Sequence, residues 1–375
     1  MTDTSFLDVL EKIVTRLVEP AAADVDRTGD FPRAAITALG ERGLLGLISS
    51  PEVGGMGQGL PEAAQVVRRL AAGCGSTAMV VCMHYCATAV IEQHGSEDTR
   101  RAIAAGRHLS TLAFSETGSR SHFWAPLGTA TERGDQVVLD ASKSWVTSAG
   151  EADSYVWTSR AASGAGGVTL WLVPSSSAGL KVGAPFDGLG LRGNASSPVL
   201  ATDVTIPLAN RLGAEGAGLD VALGVALPVF QVLNASCSLG FTDAAIGRAI
   251  AHATSARFEH LDQALSDQPV TRQHLARAKN LADQASTLVD DAISALGSGR
   301  PDAPLRMLQT KAVASETANT VLDIAMRVGG GAAFRKDIGI ERHFRDARAA
   351  AVMAPTLDAL QEFIGRALVG LPLFG

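Results

Sequence analysis

The chain has 375 residues, 46% of them hydrophobic, which is enough apolar material for a sizeable core and, by length, for two or three domains or subdomains. Charged residues are only 19% and aromatics 5%, so Ala, Leu, Val and Ile must fill that core, and a net charge of −6 argues against a nucleic-acid scaffold built on a basic face. Four cysteines make neither a disulfide framework nor a zinc module. The start MTDTSFLDVLEKIVTRL has no basic or apolar leader pattern, and no run of about 18 uninterrupted apolar residues appears, so the expectation is a cytoplasmic protein with no membrane span and no nucleic-acid partner.

Residues 1–108 read as a helical domain. FPRAAITALGERGLLGLI spaces its apolar residues by three and four, as an amphipathic helix does. Pro51 and the glycines at 54, 55, 57 and 59 break the chain, and LPEAAQVVRRLAAGCGSTAMVVCMHYCATAVIEQHG then resumes as helix. Much of that stretch is apolar all round, which predicts burial on several faces. Residues 109–215 change texture: HLSTLAFSE, GTATERGDQVVLDASKSWVTS, SYVWTSR, GVTLWLVP and PVLATDVTIP are rich in Val, Thr, Leu and Trp and are separated by turn residues, so a compact β domain is expected. Residues 216–375 return to Ala-rich helix, broken at LGSGRPDAP and VGGG, and fit a bundle of three to five helices. The class is α+β, mainly α.

Three segments carry candidate chemistry. LAFSETGSRS (112–121) and SKSWVTSAG (142–150) both fall at strand ends and present hydroxyls beside glycine; Trp145 with Thr147 offers a stacking surface and a hydrogen-bonding edge for a flat heteroaromatic cofactor, and equally reads as a buried Trp in a Ser/Thr-rich turn. MRVGGGAAF (326–334) could bring backbone N–H groups to a phosphate, although its glycines fit no dinucleotide fingerprint or P-loop and also suit a plain helix break. The charge pairs in ERHFRDARAA (341–350) suit a helix-face ion network. In VCMHYC, Cys82 and Cys86 lie one turn apart with His84 on another face, two ligands where a metal needs three or four, so core cysteines are expected and no metal site.

Taken in order, these segments resemble the acyl-CoA dehydrogenase superfamily. LAFSETGSRS is similar to its L-x-x-T-E-P-x-A-G-S-D segment, GDQVVLDASKSWVTSAGEADSYVWTSR to G-D-x-Y-x-L-N-G-x-K-x-W-I-T-N-A-x-x-A-D, GLGLRGNASSPVLATDVTIP to its G-x-R-x-S…V-P stretch, and GGGAAFRKDIGIERHFRDAR to its G-G-x-G…E-R-x-x-R-D-A-R ending. The resemblance implies a helical N-terminal domain, a β-barrel-like middle domain and a C-terminal four-helix bundle. It also implies FAD held between domains and across a subunit interface of a homotetramer (a dimer of dimers), acting on an acyl thioester of CoA or of a carrier protein. By position in the motifs, Trp145 and Thr147 lie beside the isoalloxazine, and Phe114 and Ser115, with Ser121 nearby, meet its pyrimidine edge. Arg257 and Gln268 match contacts made from a neighbouring subunit, Gly330 and Gly331 fit the loop over the adenosine, and Thr356 matches the last cofactor-binding turn. Two departures stand out: His260 replaces a Phe, and Arg327 replaces a Gln before the glycines, adding charge near the phosphates.

The catalytic position departs further. The family's general base is a Glu in a Tyr-Glu-Gly-Thr-like turn; here the turn reads VMAPT, which puts Ala354 at the Glu position, with Pro355 after it. Members that carry the base on an earlier helix align it near Phe230 and Gln231, again without a carboxylate. Ala cannot accept the substrate α-proton, and general-base work is typically worth about 10²–10⁴-fold. The backbone N–H of residue 354, which the resemblance assigns to the thioester oxygen, does survive. The expectation is therefore a flavoenzyme on acyl thioesters with altered chemistry such as oxygenation, or a desaturase with a relocated base (Glu116, His84, His122 or Asp358), or a catalytically silent subunit of a hetero-oligomer.

Overall fold

The structure, a computed structural model, describes residues 5–120, 122–164 and 166–374. The chain opens with α1 (Phe6–Ile13), continued through a π-helical turn into α2 (Glu19–Thr28), then α3 (Arg33–Glu41), α4 (Leu60–Gly73), α5 (Gly75–His94) and α6 (Glu97–Ala104). The stretch read as resumed helix from residue 60 is in fact two helices. Cys74 is extended (φ −148°, ψ 114°) and separates α4 from α5. Close packing explains the break: a Cβ on Gly75 would lie 2.6 Å from Asp346 Oδ2 and 2.9 Å from the Phe241 ring, so α5 starts in direct contact with the C-terminal helices. Beyond that point α5 is buried along nearly its whole length, as its apolar circumference requires.

Two four-stranded sheets follow. β1 (Ser110–Ala113), β4 (Ser154–Arg160), β5 (Val168–Pro174) and β8 (Arg211–Leu212) form one; β2 (Thr129–Arg133), β3 (Gln136–Val146), β7 (Ser197–Pro207) and β6 (Leu180–Val182) form the other. β1 pairs with β4 in parallel, Ser110 opposite Ser154, and the remaining pairs are antiparallel. Trp157 and Trp171 face each other across β4 and β5, both fully buried, and the Trp171 indole N–H donates to Ser159 Oγ at 2.8 Å. These two aromatic side chains fill what an aromatic-poor sequence otherwise packs with Val and Leu.

A short helix, α7 (Gly218–Val221), runs through a second π-helical turn into α8 (Leu227–Ser255); β9 (Arg257–Phe258) and β10 (Gln263–Ala264) form a small ribbon, and α9 (Pro269–Gly297), α10 (Ala303–Ala333), α11 (Ile340–Val352) and α12 (Leu357–Leu368) complete the chain. α10 packs against α8, α9 and α11 as the axis of the bundle. Its buried residues include small ones, among them Ala314, Ala318 and Ala325, which let helix axes approach closely. The 218–255 run contains an 18-residue window of mean hydropathy 1.6, long and apolar enough to cross a membrane, yet 61% of that window is buried within the protein, and α8 packs against α4, α5, α9, α10 and α11. α10 kinks at Gly330 (φ 53°, ψ −136°), a backbone conformation that demands glycine.

Side chains from distant segments lock these parts together. Asp346 accepts the Leu191 N–H at 2.7 Å, and Arg345 forks onto Asp26 and Glu341 while reaching the Leu189 carbonyl, so the charged run on α11 is a tie between helices and the β domain. His84 on α5 is fully buried: its Nδ1 accepts the Ser110 N–H at 3.1 Å, which makes Nε2 the donor to the Leu45 carbonyl at 3.0 Å. Burial pushes its imidazole down to about 4. The folded state thus takes up a proton less readily than the unfolded chain, and stability present above the unfolded value near 6.5 is lost as pH falls towards 4, by up to roughly 3 kcal/mol. Urea unfolding at pH 7 and pH 4.5 should show this loss, and His84→Gln should reduce the difference between the two; parallel pH profiles for the two proteins would count against it.

Candidate active site

A cavity of about 510 Å³ opens where the β domain meets the helical bundle. Four segments build its wall: the end of β1, the end of β3, the loop ahead of β7, and the turn between α11 and α12 facing the start of α8. Phe114, Ser115 and Glu116 come from the first, Trp145 and Thr147 from the second, Phe186 and Asn194 from the third, and Met353, Ala354 and Pro355, opposite Phe230, from the last. Six of the expected site residues therefore line one cavity: Phe114, Ser115, Glu116, Trp145, Thr147 and Ala354.

The β3 segment shows how sequence becomes site. Strand register with β7 slips between Lys143 and Val146, and Trp145 takes a left-handed backbone (φ 55°). This bulge re-aims the side chain. Lys143 and Val146 go inward, while Trp145 is left 61% exposed at the cavity, stacked on Phe186 with ring centroids 4.0 Å apart. Trp145 is thus not the buried indole that the plain reading of its segment allows. Phe186 was not foreseen, because 41 residues of sequence separate it from Trp145. Arg120, also lining the cavity, has a left-handed backbone (φ 48°).

Glu116 lies in the wall but is spent. Its carboxylate takes the Lys143 ammonium at 2.6 Å and the Leu127 and Gly128 N–H groups. Lys143 is fully buried and also donates to the Thr158 carbonyl and hydroxyl, both at 2.7 Å. Burial lowers its amine to about 8, and the Glu116 charge opposes that shift.

The other base candidates lie elsewhere. His84 is the buried tie described above and does not line the cavity. His122 stacks on Trp124 at 4.6 Å, within an aromatic cluster that includes Phe363 and Phe374. Asp358 is exposed in the first turn of α12, and Thr356 caps that helix by accepting the Ala359 N–H at 3.3 Å. On α8, Phe230 lines the cavity, whereas Gln231 is fully buried behind it with neither amide atom paired. Arg257 is exposed and paired with Asp262 at 2.7 Å; Gln268, bonded to Gln263, stands on the same excursion between α8 and α9. Arg327, Gly330 and Gly331 are exposed on α10, outside the cavity, and Ser121 falls outside the described residues. Cys82 and Cys86 are fully buried core thiols on α5.

Three family descriptions tile the chain in order: acyl-CoA dehydrogenase N-terminal domain over residues 2–106, middle domain over 111–204 and C-terminal domain over 216–369. The chain belongs to the acyl-CoA dehydrogenase family. Human mitochondrial short-chain specific acyl-CoA dehydrogenase is 29% identical over 342 residues, covering 88% of this chain and 81% of its own. The fold matches butyryl-CoA dehydrogenase from Megasphaera elsdenii with a TM-score of 0.91 at 23% identity, covering 97% of each chain, and the prolyl acyl carrier protein oxidase AnaB with a TM-score of 0.88 at 19% identity, covering 98% of this chain and all of the other.

Acyl-CoA dehydrogenases are FAD-dependent oxidoreductases of acyl thioesters, and this cavity suits that cofactor. The exposed Trp145 indole offers an apolar face for a flat ring, with the Thr147 and Ser115 hydroxyls at hand. The strand ends that hold these groups depend on the Lys143–Glu116 pair. Lys143→Met leaves a buried carboxylate without its cation, which should destabilise the fold by about 3–5 kcal/mol. Chemical unfolding measures this directly, and a loss under about 1 kcal/mol would mean the pair is solvated like a surface ion pair.

Proposed function

We propose that the chain is an oxygenating member of its family: an FAD enzyme that inserts one atom of dioxygen into the acyl group of a thioester and releases the other as water, with an external two-electron reductant. The observation that carries this reading is the cavity wall. Among the described residues lining it, Glu116 is the only carboxylate and no histidine appears; Ala354 stands where a proton acceptor would reach the substrate. When bound, the flavin supplies two-electron redox chemistry and, once reduced, reactivity with dioxygen.

The chain's own groups bind and orient. Trp145 and Phe186 form a stacked apolar platform, and Thr147, Phe114 and Ser115 border it. The Ala354 N–H lies in the wall with no acceptor among the described residues, so it is free to donate to the thioester oxygen and draw charge from the carbonyl. Arg257, Gln268, Arg327, Gly330 and Gly331 sit outside the cavity and serve a neighbouring subunit's cofactor in a homotetramer. The carrier is CoA or a carrier protein, and the compartment is the cytoplasm. Arg257→Ala should lower FAD retention on gel filtration by about tenfold in affinity, because a charge-assisted contact to phosphate is lost.

A second reading, α,β-desaturation with a relocated base, is favoured by the names of the relatives. The two separate cleanly. Under anaerobic conditions with an artificial electron acceptor, the wild-type holoenzyme should not convert saturated acyl-CoAs to enoyl products; with dioxygen and a flavin reductant, products should gain the mass of one oxygen atom. Anaerobic enoyl formation by the wild-type holoenzyme would establish desaturation instead. Ala354→Glu should leave oxygenation no faster and should raise desaturation, since residue 354 lines the cavity.

A further inference from the structure

Lys311 on α10 is fully buried, and no carboxylate among the described residues pairs with it. Its ammonium instead donates to three carbonyls of one turn: Ala350 at 2.8 Å, Met353 at 3.1 Å and Pro355 at 2.7 Å. The ammonium also lies over the ring of Phe230, 5.9 Å from its centroid, and Phe230 lines the cavity. A lysine without a carboxylate in a helical core is costly, and burial pulls its amine down to about 7. The carbonyls at the C-terminal end of α11, where partial negative charge collects, offset that cost and favour the charged form.

We infer that Lys311 is a positioning residue that aims and polarises the Ala354 N–H as the oxyanion donor of the cavity. The argument is one of peptide geometry. The Met353 carbonyl and the Ala354 N–H belong to the same peptide unit, and that unit is trans and planar. Its C=O and N–H therefore point in opposite directions. Anchoring the carbonyl on Lys311, in the core, turns the N–H towards the opposite side, where Ala354 lines the cavity. A cation on the carbonyl also draws electron density through the amide and makes its N–H a stronger donor. The bonds to Ala350 and Pro355 hold the residues on either side, so the peptide plane cannot rotate to satisfy its N–H elsewhere.

This role deepens the reading of Ala354 and rests on it, and the test separates the two. Butanoyl-CoA and S-butyl-CoA differ in the carbonyl oxygen alone at the reacting end. Each is titrated into FAD-loaded protein and followed by the flavin absorption spectrum. The wild-type holoenzyme should prefer the thioester; Lys311→Met should bind butanoyl-CoA about tenfold more weakly while S-butyl-CoA stays within about twofold. A merely structural lysine would weaken both ligands alike, and that result overturns the inference, as does a preference for the thioester that Lys311→Met keeps. A wild-type protein with no preference, or with no binding of either ligand, overturns the reading of Ala354 itself. If Lys311→Met fails to retain FAD, Lys311→Gln, which keeps two N–H donors without the charge, is read by the same ratio.

Discussion

The ion pair between Lys143 and Glu116 is the constraint on which the rest of the site depends. It joins the bulged end of β3 to the segment that follows β1 and, through Thr158, to β4. Two charges taken out of water at this junction leave little freedom: every other arrangement exposes one of them to an apolar core without its partner. The pair therefore sets where β1 and β3 stop being strands. Both ends then turn towards the bundle, and Ser115 and Trp145 arrive at the same cavity from opposite sheets. The same pair occupies the carboxylate in the wall, whose oxygens accept from one ammonium and two backbone N–H groups.

Opposite that junction, the turn after α11 depends on a cation with no anion. Lys311 neutralises nothing; it collects carbonyls that a helix end leaves without partners. A turn braced in this way keeps its backbone geometry whatever side chain it carries. Under the proposed function, a side-chain role at position 354 and the backbone donor there are separable, because one belongs to a side chain and the other to a peptide plane.

The helical parts were legible in the sequence wherever periodicity carried them, and the all-round apolar character of the α5 segment correctly placed it in the core. The break at Cys74 was not legible, because its cause is the approach of Asp346 and Phe241 from far along the chain. Within the site, Phe114, Ser115, Trp145 and Thr147 were found from their motifs. Phe186 and Lys311 were missed: one sits in a loop without a motif, and the other looks like any lysine on an alanine-rich helix until its depth is known.

By itself, the sequence determined the family, the order helix–sheet–helix, the cofactor and the absence of a carboxylate at residue 354, since each of these is written in local pattern or in residue identity. Tertiary structure alone decided what surrounds each of the remaining acids and histidines. Glu116, His84 and His122 are equivalent as letters, and only their partners distinguish them: an ammonium for the first, two backbone groups for the second, an indole for the third. Protonation and reach follow from burial and from hydrogen bonds between residues tens or hundreds of positions apart, and no local pattern encodes those contacts.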